Sequence, residues 1–355
     1  MMVPKLGNTT NVKSKSAKMR IAAVSAVAAT LALAACSPGG TNNSSATGGA
    51  GAENSASGVN IVVIGGSGDP FFATIQRGVD SATKSVEAAG GKVTYLALKN
   101  YENLGPDTAQ LTETAISQKP SAIAVPDWVP DAQNAAIKKA VDAGIPVLLY
   151  NAGDIDSAKE LGAMSYVGTD DRLAGVAAGK SLGEAGAKNV LCVNTTPGAA
   201  NNENRCAGAK EGVEGAGGKS SQLSLPSTNF GNQTAVTQAI KSAVLQDPSI
   251  DGVVTIGVTD SESAKSAIEQ ANAKDRVKLI GFDLSPAVLD AVKSGAQYAA
   301  IDQQPFAQGY YAVSALFHYT AYGVELPTKP ILTGPLVVTK DNVEAAVKGS
   351  AVGAR

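Results

Sequence analysis

Eight polar side chains stand where an apolar run ends: Asp69, Asp127, Asn151, Asp170, Asn194, Thr259, Asp283 and Gln303. Carboxylates and amides dominate this set. Both can accept from, or bridge, adjacent hydroxyl groups, and an arginine donates to the same groups in a planar fork. A polyhydroxyl ring also has apolar C–H faces, which aromatic side chains cover. Phe71, Phe72 and Trp128 lie beside two of the polar positions in a chain that is only 5% aromatic. Each Asp or Asn could instead cap the helix that follows it. Their recurrence at successive run ends favours a cleft for a polar ligand.

The elements that would position these residues alternate. Apolar runs such as "VNIVVIG", "SAIAVPD", "IPVLLYN", "NVLCVN", "DGVVTIG" and "VKLIGFD" read as buried strands. Helical patterns such as "FFATIQRGVDSATKSVEAAG" and "QTAVTQAIKSAVLQDP" separate most of them. Alternation from Val59 to about Val347 predicts an α/β fold with parallel sheets and helices on both faces. A single core stops growing at about 250–300 residues, so two lobes are expected from 355 residues. In open parallel sheets ligands lie outside the carboxyl ends of the strands, where the eight polar positions fall.

Catalytic readings fare poorly. "GGSGDPFF" imitates a dinucleotide loop, but Phe71 stands where the third small residue belongs, and Asp69 would repel a phosphate. Pro70 also removes an N–H from the helix start where an anion would lie. "GVAAGKS" is one residue short of a phosphate loop and lies inside an alanine-rich helix. His318 is the only histidine, which leaves no Ser-His-Asp triad or histidine-rich metal site to propose. The expectation is a binding protein without cofactor, metal or enzymatic activity.

Residues 1–35 read as a lipoprotein export signal. Lys13, Lys15, Lys18 and Arg20 precede the apolar "IAAVSAVAATLALAAC", too short for an ordinary membrane span. Leu33-Ala34-Ala35-Cys36 resembles a bacterial lipobox, making Cys36 a lipidation site; an unlipidated signal cut nearby is the alternative. Residues 1–35 hold five of the 29 basic residues and none of the 31 acidic ones, so cleavage leaves a net charge near −7. That balance argues against nucleic acid as a partner. Residues 36–58, rich in Gly, Ser and Asn, read as a flexible tether. In an exported chain Cys192 and Cys206 can pair, or remain two buried thiols.

Taken in order, several segments resemble the type 1 periplasmic binding proteins, the ribose/galactose/fructose-type sugar receptors of ABC importers. "GDPFFATIQRGVDSA" is similar to the family's first strand–helix turn, and "IPVLLYNA" to its fourth strand. "YVGTDDRLAGVAAG" resembles the entry to the second lobe, "AIDQQPFAQGYYAV" a hinge segment, and "LTGPLVVTKDNV" the terminal strand and helix. The resemblance implies two doubly wound lobes joined by a three-segment hinge. The N-lobe would be residues 59–168 plus 304–333, and the C-lobe 169–303 plus 334–349. It implies that Phe71 and Phe72 sandwich a sugar ring. Asp69, Asn151, Arg205 (from "NRCAGAKEGV"), Asp283 (from "IGFDLSP") and Gln303 would hold its hydroxyls. Thr259 and Asp260 match the family's Asn-Asp pair, and Asn151-Ala152 replaces its Asp-Arg, so a pocket for a sugar other than ribose is implied. The cysteine pair resembles a subgroup feature that pins the loop before Arg205. The implied partners are a monosaccharide or polyol and a membrane permease, with the receptor a monomer. A sensing receptor for a sugar or autoinducer shares the fold. An exported polyol enzyme would need a general base, and none is evident.

Overall fold

The structure is a computed structural model that describes residues 56–355. From the N-terminal side the elements are Asn60–Gly65 (β1), Pro70–Ala88 (α1), Lys92–Ala97 (β2), Leu104–Ser117 (α2), Ala122–Val125 (β3), Pro130–Asp142 (α3), Val147–Tyr150 (β4), Ile155–Leu161 (α4) and Tyr166–Thr169 (β5). There follow Asp171–Glu184 (α5), Asn189–Asn194 (β6), Ala200–Gly215 (α6), Lys219–Ser224 (β7), Gln233–Gln246 (α7), Gly252–Thr255 (β8), Val258–Gln270 (α8), Lys278–Phe282 (β9), Pro286–Ser294 (α9) and Ala299–Asp302 (β10). The chain finishes with Pro305–Tyr322 (α10), Ile331–Gly334 (β11), Leu336–Val338 (β12) and Val343–Ala351 (α11).

These strands form two six-stranded sheets, ordered β11-β5-β4-β3-β1-β2 and β12-β10-β9-β8-β6-β7. Every pairing is parallel except β10 with β12. Successive residues of each inner strand feed opposite cores, as the pleat requires. Ile61 and Val63 join one apolar cluster and Val62 and Ile64 another. Val190 and Cys192 divide from Leu191 and Val193 in the same way. Strands buried on both faces are continuous apolar runs, whereas the edge strand β7, "KSSQLS", is largely exposed. The segment "LTGPLVV", which resembles one terminal strand, is two: β11 completes the first sheet and β12 the second.

The backbone passes between the sheets at β5–α5, β10–α10 and β11–β12. The helix that follows each of the first two crossings packs on the helix after the first strand of the lobe it enters, α5 on α6 and α10 on α1. Glycines let these pairs approach closely. A Cβ at Gly78 would lie 2.0 Å from the Phe306 carbonyl oxygen, and one at Gly309 would lie 2.2 Å from that of Ile75, so α1 and α10 meet backbone to backbone. Between α5 and α6 the contact is reciprocal. A Cβ added at Gly175 would lie 2.2 Å from the Arg205 carbonyl oxygen, one at Gly179 2.0 Å from that of Ala209, one at Gly208 2.2 Å from that of Arg172 and one at Gly212 2.4 Å from that of Val176. The "GVAAG" run is thus a packing stripe on a helix, not a phosphate loop.

Candidate functional site

The two sheets present their carboxyl ends to one cleft, and the polar heart of its C-lobe wall is Arg205. α6 carries this residue, and the Cys192–Cys206 disulfide ties the helix to β6 beside it. Its guanidinium is buried and held on three sides. Nε donates to Asp171 Oδ1 at 2.8 Å, Nη1 to the Ile256 carbonyl at 2.8 Å and Nη2 to Gln303 Oε1 at 2.7 Å. Its flat face lies 4.6 Å from the centre of the Phe282 ring. Of five N–H groups, one on each terminal nitrogen has no acceptor among the described residues. Gln303 in turn donates to Asp283 Oδ1 at 2.5 Å, and Asp283 Oδ2 has no hydrogen-bond partner among the described residues. Burial pushes the Asp283 carboxyl up to about 7; Arg205 and the Gln303 hydrogen bond pull it down, while the Asp69 and Asp302 charges add to the rise. Desolvation likewise carries Asp171 to about 6, outweighing its ion pair with Arg205.

The two lobes repeat one backbone device. Asn151 after β4 has φ 64° and Asp283 after β9 has φ 71°, the left-handed region that short Asn and Asp side chains tolerate. Each N–H bonds to the neighbouring strand, Asn151 to Val167 at 2.9 Å and Asp283 to Ile301 at 2.8 Å. The turns direct both residues into the cleft. Asn151, however, is largely occupied by the protein: Oδ1 accepts from Trp128 Nε1 at 3.1 Å, and Nδ2 donates to Gln308 Oε1 at 3.2 Å.

Asp69 is the N-cap of α1. Its Oδ1 accepts from the N–H of Phe71 at 2.9 Å and of Phe72 at 3.1 Å, and Oδ2 accepts a short hydrogen bond from the Tyr101 hydroxyl. Phe72 and Trp128 are buried in the N-lobe core. Phe71 meets Phe72 edge-on, with ring centres 5.3 Å apart and planes at 74°. The expected Phe71–Phe72 sandwich is therefore not formed: consecutive helical residues point in different directions, and Phe72 faces inward.

Between the walls lies a cavity of about 660 Å³, counting the part open to solvent. Asp69, Phe71, Phe72, Trp128, Asn151, Arg205, Thr259, Asp283 and Gln303 all line it. Four other expected residues do not. Asn194 is held by the protein, its Nδ2 donating to Glu203 Oε1 and its Oδ1 accepting the Thr196 N–H, both at 3.0 Å. Asp170 caps α5, accepting the Leu173 N–H at 2.9 Å, and shares a separate cleft with Asp127. Asp127 is buried there and pushed up to about 6 by desolvation and the charge of Asp154. Asp260 is buried behind Thr259, bonded to the Thr195 hydroxyl at 2.8 Å, with burial raising it to about 7. Among the described residues, no group of His, Cys, Asp and Glu could hold a metal ion.

The cavity also has walls that the sequence reading missed. Asn201 and Asn202 stand four and three residues before Arg205, so helical spacing put them on its face. Tyr101, Leu104 and Phe230 carry no such signal. Phe230 belongs to the loop after β7, yet it reaches the N-lobe, its ring centre 4.6 Å from that of Tyr101. A second link between lobes is the Ala200 N–H, which donates to the Trp128 carbonyl at 2.7 Å.

Two parallel-sheet lobes, three crossings and a polar cavity between strand ends define a cleft-binding receptor. The chain belongs to the periplasmic binding protein family: the family model described as a periplasmic binding protein domain matches residues 59–323. It is similar to the xylose/arabinose-binding protein XylF of Sulfolobus acidocaldarius, 26% identical over 78% of this chain and 69% of that protein. It also resembles the D-ribose/D-allose-binding protein of Pseudomonas aeruginosa, 30% identical over 50% of this chain and 56% of the relative. Among solved structures, a carbohydrate transporter from Acidothermus cellulolyticus, in complex with myo-inositol, is 34% identical. It superposes with a TM-score of 0.76, covering 84% of this chain and 99% of that one.

Proposed function

We propose that this chain is an extracytoplasmic receptor that captures a monosaccharide or cyclic polyol between its lobes and passes it to the permease of an ABC importer. It binds and delivers its ligand and catalyses no reaction. One observation carries the reading. Arg205 is immobilised, yet keeps two N–H donors in the same cavity as an Asp283 oxygen with no hydrogen-bond partner among the described residues. Fixed donors beside a fixed acceptor are what adjacent hydroxyls require. Arg205, Asp283, Gln303, Asn202 and Thr259 then read the hydroxyls, and Phe71 covers a C–H face. The relatives support this class of ligand: one is named for xylose and arabinose, another for ribose and allose, and a third holds myo-inositol.

Residues 59–168 with 304–333 would close on residues 169–303 with 334–349 by bending at the three crossings. Export and lipidation at Cys36 would hold a monomeric receptor at the outer face of the cell membrane through the 36–58 tether. The anchor is tested by Cys36→Ser, which should release the protein into the medium; retention of the variant on the cell refutes it.

Binding is tested by thermal shift against pentoses, hexoses and inositols. A ligand at 1,000 times its Kd adds about 4 kcal/mol, a rise of several degrees. Arg205→Ala should abolish the shift. If no sugar or polyol moves the melting temperature, the reading fails.

A further inference from the structure

The cavity is chemically lopsided. At its N-lobe end the polar atoms are already committed to the protein. Asp69 Oδ1 accepts two backbone N–H groups, and Oδ2 accepts the Tyr101 hydroxyl and, at 3.4 Å, that of Ser67. Four donors fill the roughly four acceptor sites of a carboxylate. The Tyr101 oxygen in turn accepts the Ser67 N–H at 3.1 Å, and the Trp128 N–H is taken by Asn151. Beside these groups lie Phe71, Leu104 and Phe230, which have no polar side-chain atoms. The aromatic pairs Phe71–Phe72, Phe72–Trp128, Tyr101–Trp128 and Tyr101–Phe230 all meet edge to face, at 70–89°. The rings pack on one another edge to face, and no parallel pair among them is set to bracket a flat ring.

The C-lobe end is the reverse. Spare N–H groups of Arg205 and Gln303 and the free oxygen of Asp283 gather there, with Asn202 and Thr259 beside them. A hydroxyl placed at this end meets a partner. A hydroxyl placed at the aromatic end leaves water and gains almost nothing in exchange.

We propose, on the sugar-receptor reading above, that the ligand is a ring with one apolar edge, a deoxy sugar or an O-methylated cyclitol. Its methyl group lodges among Phe71, Tyr101, Leu104 and Phe230 while its hydroxyls face Arg205 and Asp283. The residues that line the aromatic end thereby set specificity.

Calorimetric titration of the purified protein with matched pairs tests this. The pairs are D-galactose with D-fucose, D-glucose with 6-deoxy-D-glucose, and myo-inositol with its 1-, 4- and 5-O-methyl ethers. In at least one pair the less polar member should bind about five- to 150-fold more tightly, the range expected from sparing one unsatisfied hydroxyl. In that pair Leu104→Asn should bring the ratio below about threefold, because the new amide offers the hydroxyl a partner. The proposal is overturned if the fully hydroxylated member binds as tightly or more tightly in every pair. It is also overturned if Leu104→Asn leaves the ratio intact. Binding of parent sugars without any gain for their partners sinks this proposal alone; if no member of any pair binds, the receptor reading fails with it.

Discussion

Gly175→Ala is a small change with a large expected effect, because it strikes the contact that seats Arg205. The new Cβ would lie 2.2 Å from the Arg205 carbonyl oxygen and 2.9 Å from the Ala209 nitrogen, where ordinary contact begins near 3.4 Å. Neither obstacle is a flexible side chain, so α5 and α6 must part by about 1 Å. Alanine gains up to about 1 kcal/mol of helix propensity over glycine. Overpacking a tight interface costs about 1–3 kcal/mol. The net expectation is a loss of roughly 0–2 kcal/mol, or a few degrees in melting temperature. Function should suffer more. Arg205 Nε, Nη1 and Nη2 hold partners at 2.7–2.8 Å that the long side chain can follow, but a helix shift of about 1 Å carries its two spare N–H groups out of line with a ligand. Ligand affinity should fall at least about tenfold, since charge-assisted hydrogen bonds contribute roughly 1.5–3 kcal/mol each. Urea unfolding and calorimetric titration read the two quantities separately. Gly215→Ala, on α6 with nothing within 4 Å of its Cβ, is the matched control and should leave both unchanged or slightly improved. Wild-type affinity in Gly175→Ala would refute the claim that this backbone contact positions the arginine.

Two further outcomes follow from burial and from the crosslink. Desolvation is the leading cause that carries Asp127 and Asp171 to about 6 and Asp260 and Asp283 to about 7. A carboxyl whose folded value exceeds its unfolded value of about 4 binds more protons when folded, so its stabilising effect is full below about pH 4 and is lost as pH rises through 6 to 7. The ligand-free melting temperature should fall between pH 5 and 8, and Asp260→Asn should flatten the fall; a melting temperature that climbs through this window contradicts the assignment. The Cys192–Cys206 bridge closes a loop of sequence separation 14, worth roughly 3 kcal/mol in the chain-entropy model. Reduced protein should melt several degrees lower, and superimposable melts with and without reductant would count against a stabilising bridge.

Periodicity made the sheets legible because a strand buried on both faces must be a continuous apolar run. "SAIAVPD" and "IPVLLYN" each bracket one such strand, β3 and β4. The pattern could not show which strand-end acids meet a ligand. Asp69 and Asp170 are the same residue type at similar positions, and both cap helices through backbone N–H groups. Only the first also borders the cavity. Capping and ligand binding draw on the same lone pairs, so composition alone does not separate them. Phe230 was invisible for another reason. It owes its place to contact between lobes, a relation between residues 129 positions apart that no local pattern encodes. Asn201 and Asn202 were within reach, since a helix through Arg205 places them on its face. Phe72 is ambiguous in the sequence because an aromatic beside a glycine turn can face the cleft or the core; in α1 it is buried in the core and also borders the cavity.

Trp128 is the only tryptophan in the chain. Its indole packs against Phe72 and donates to Asn151, while its carbonyl takes the Ala200 N–H from the opposite lobe. The protein therefore carries a built-in optical reporter at the seam between its lobes. Any opening that breaks the seam would admit water to a single, otherwise dry fluorophore and shift its emission to longer wavelength. Closure on a ligand could thus be timed in the unlabelled molecule, with no second indole to dilute the signal.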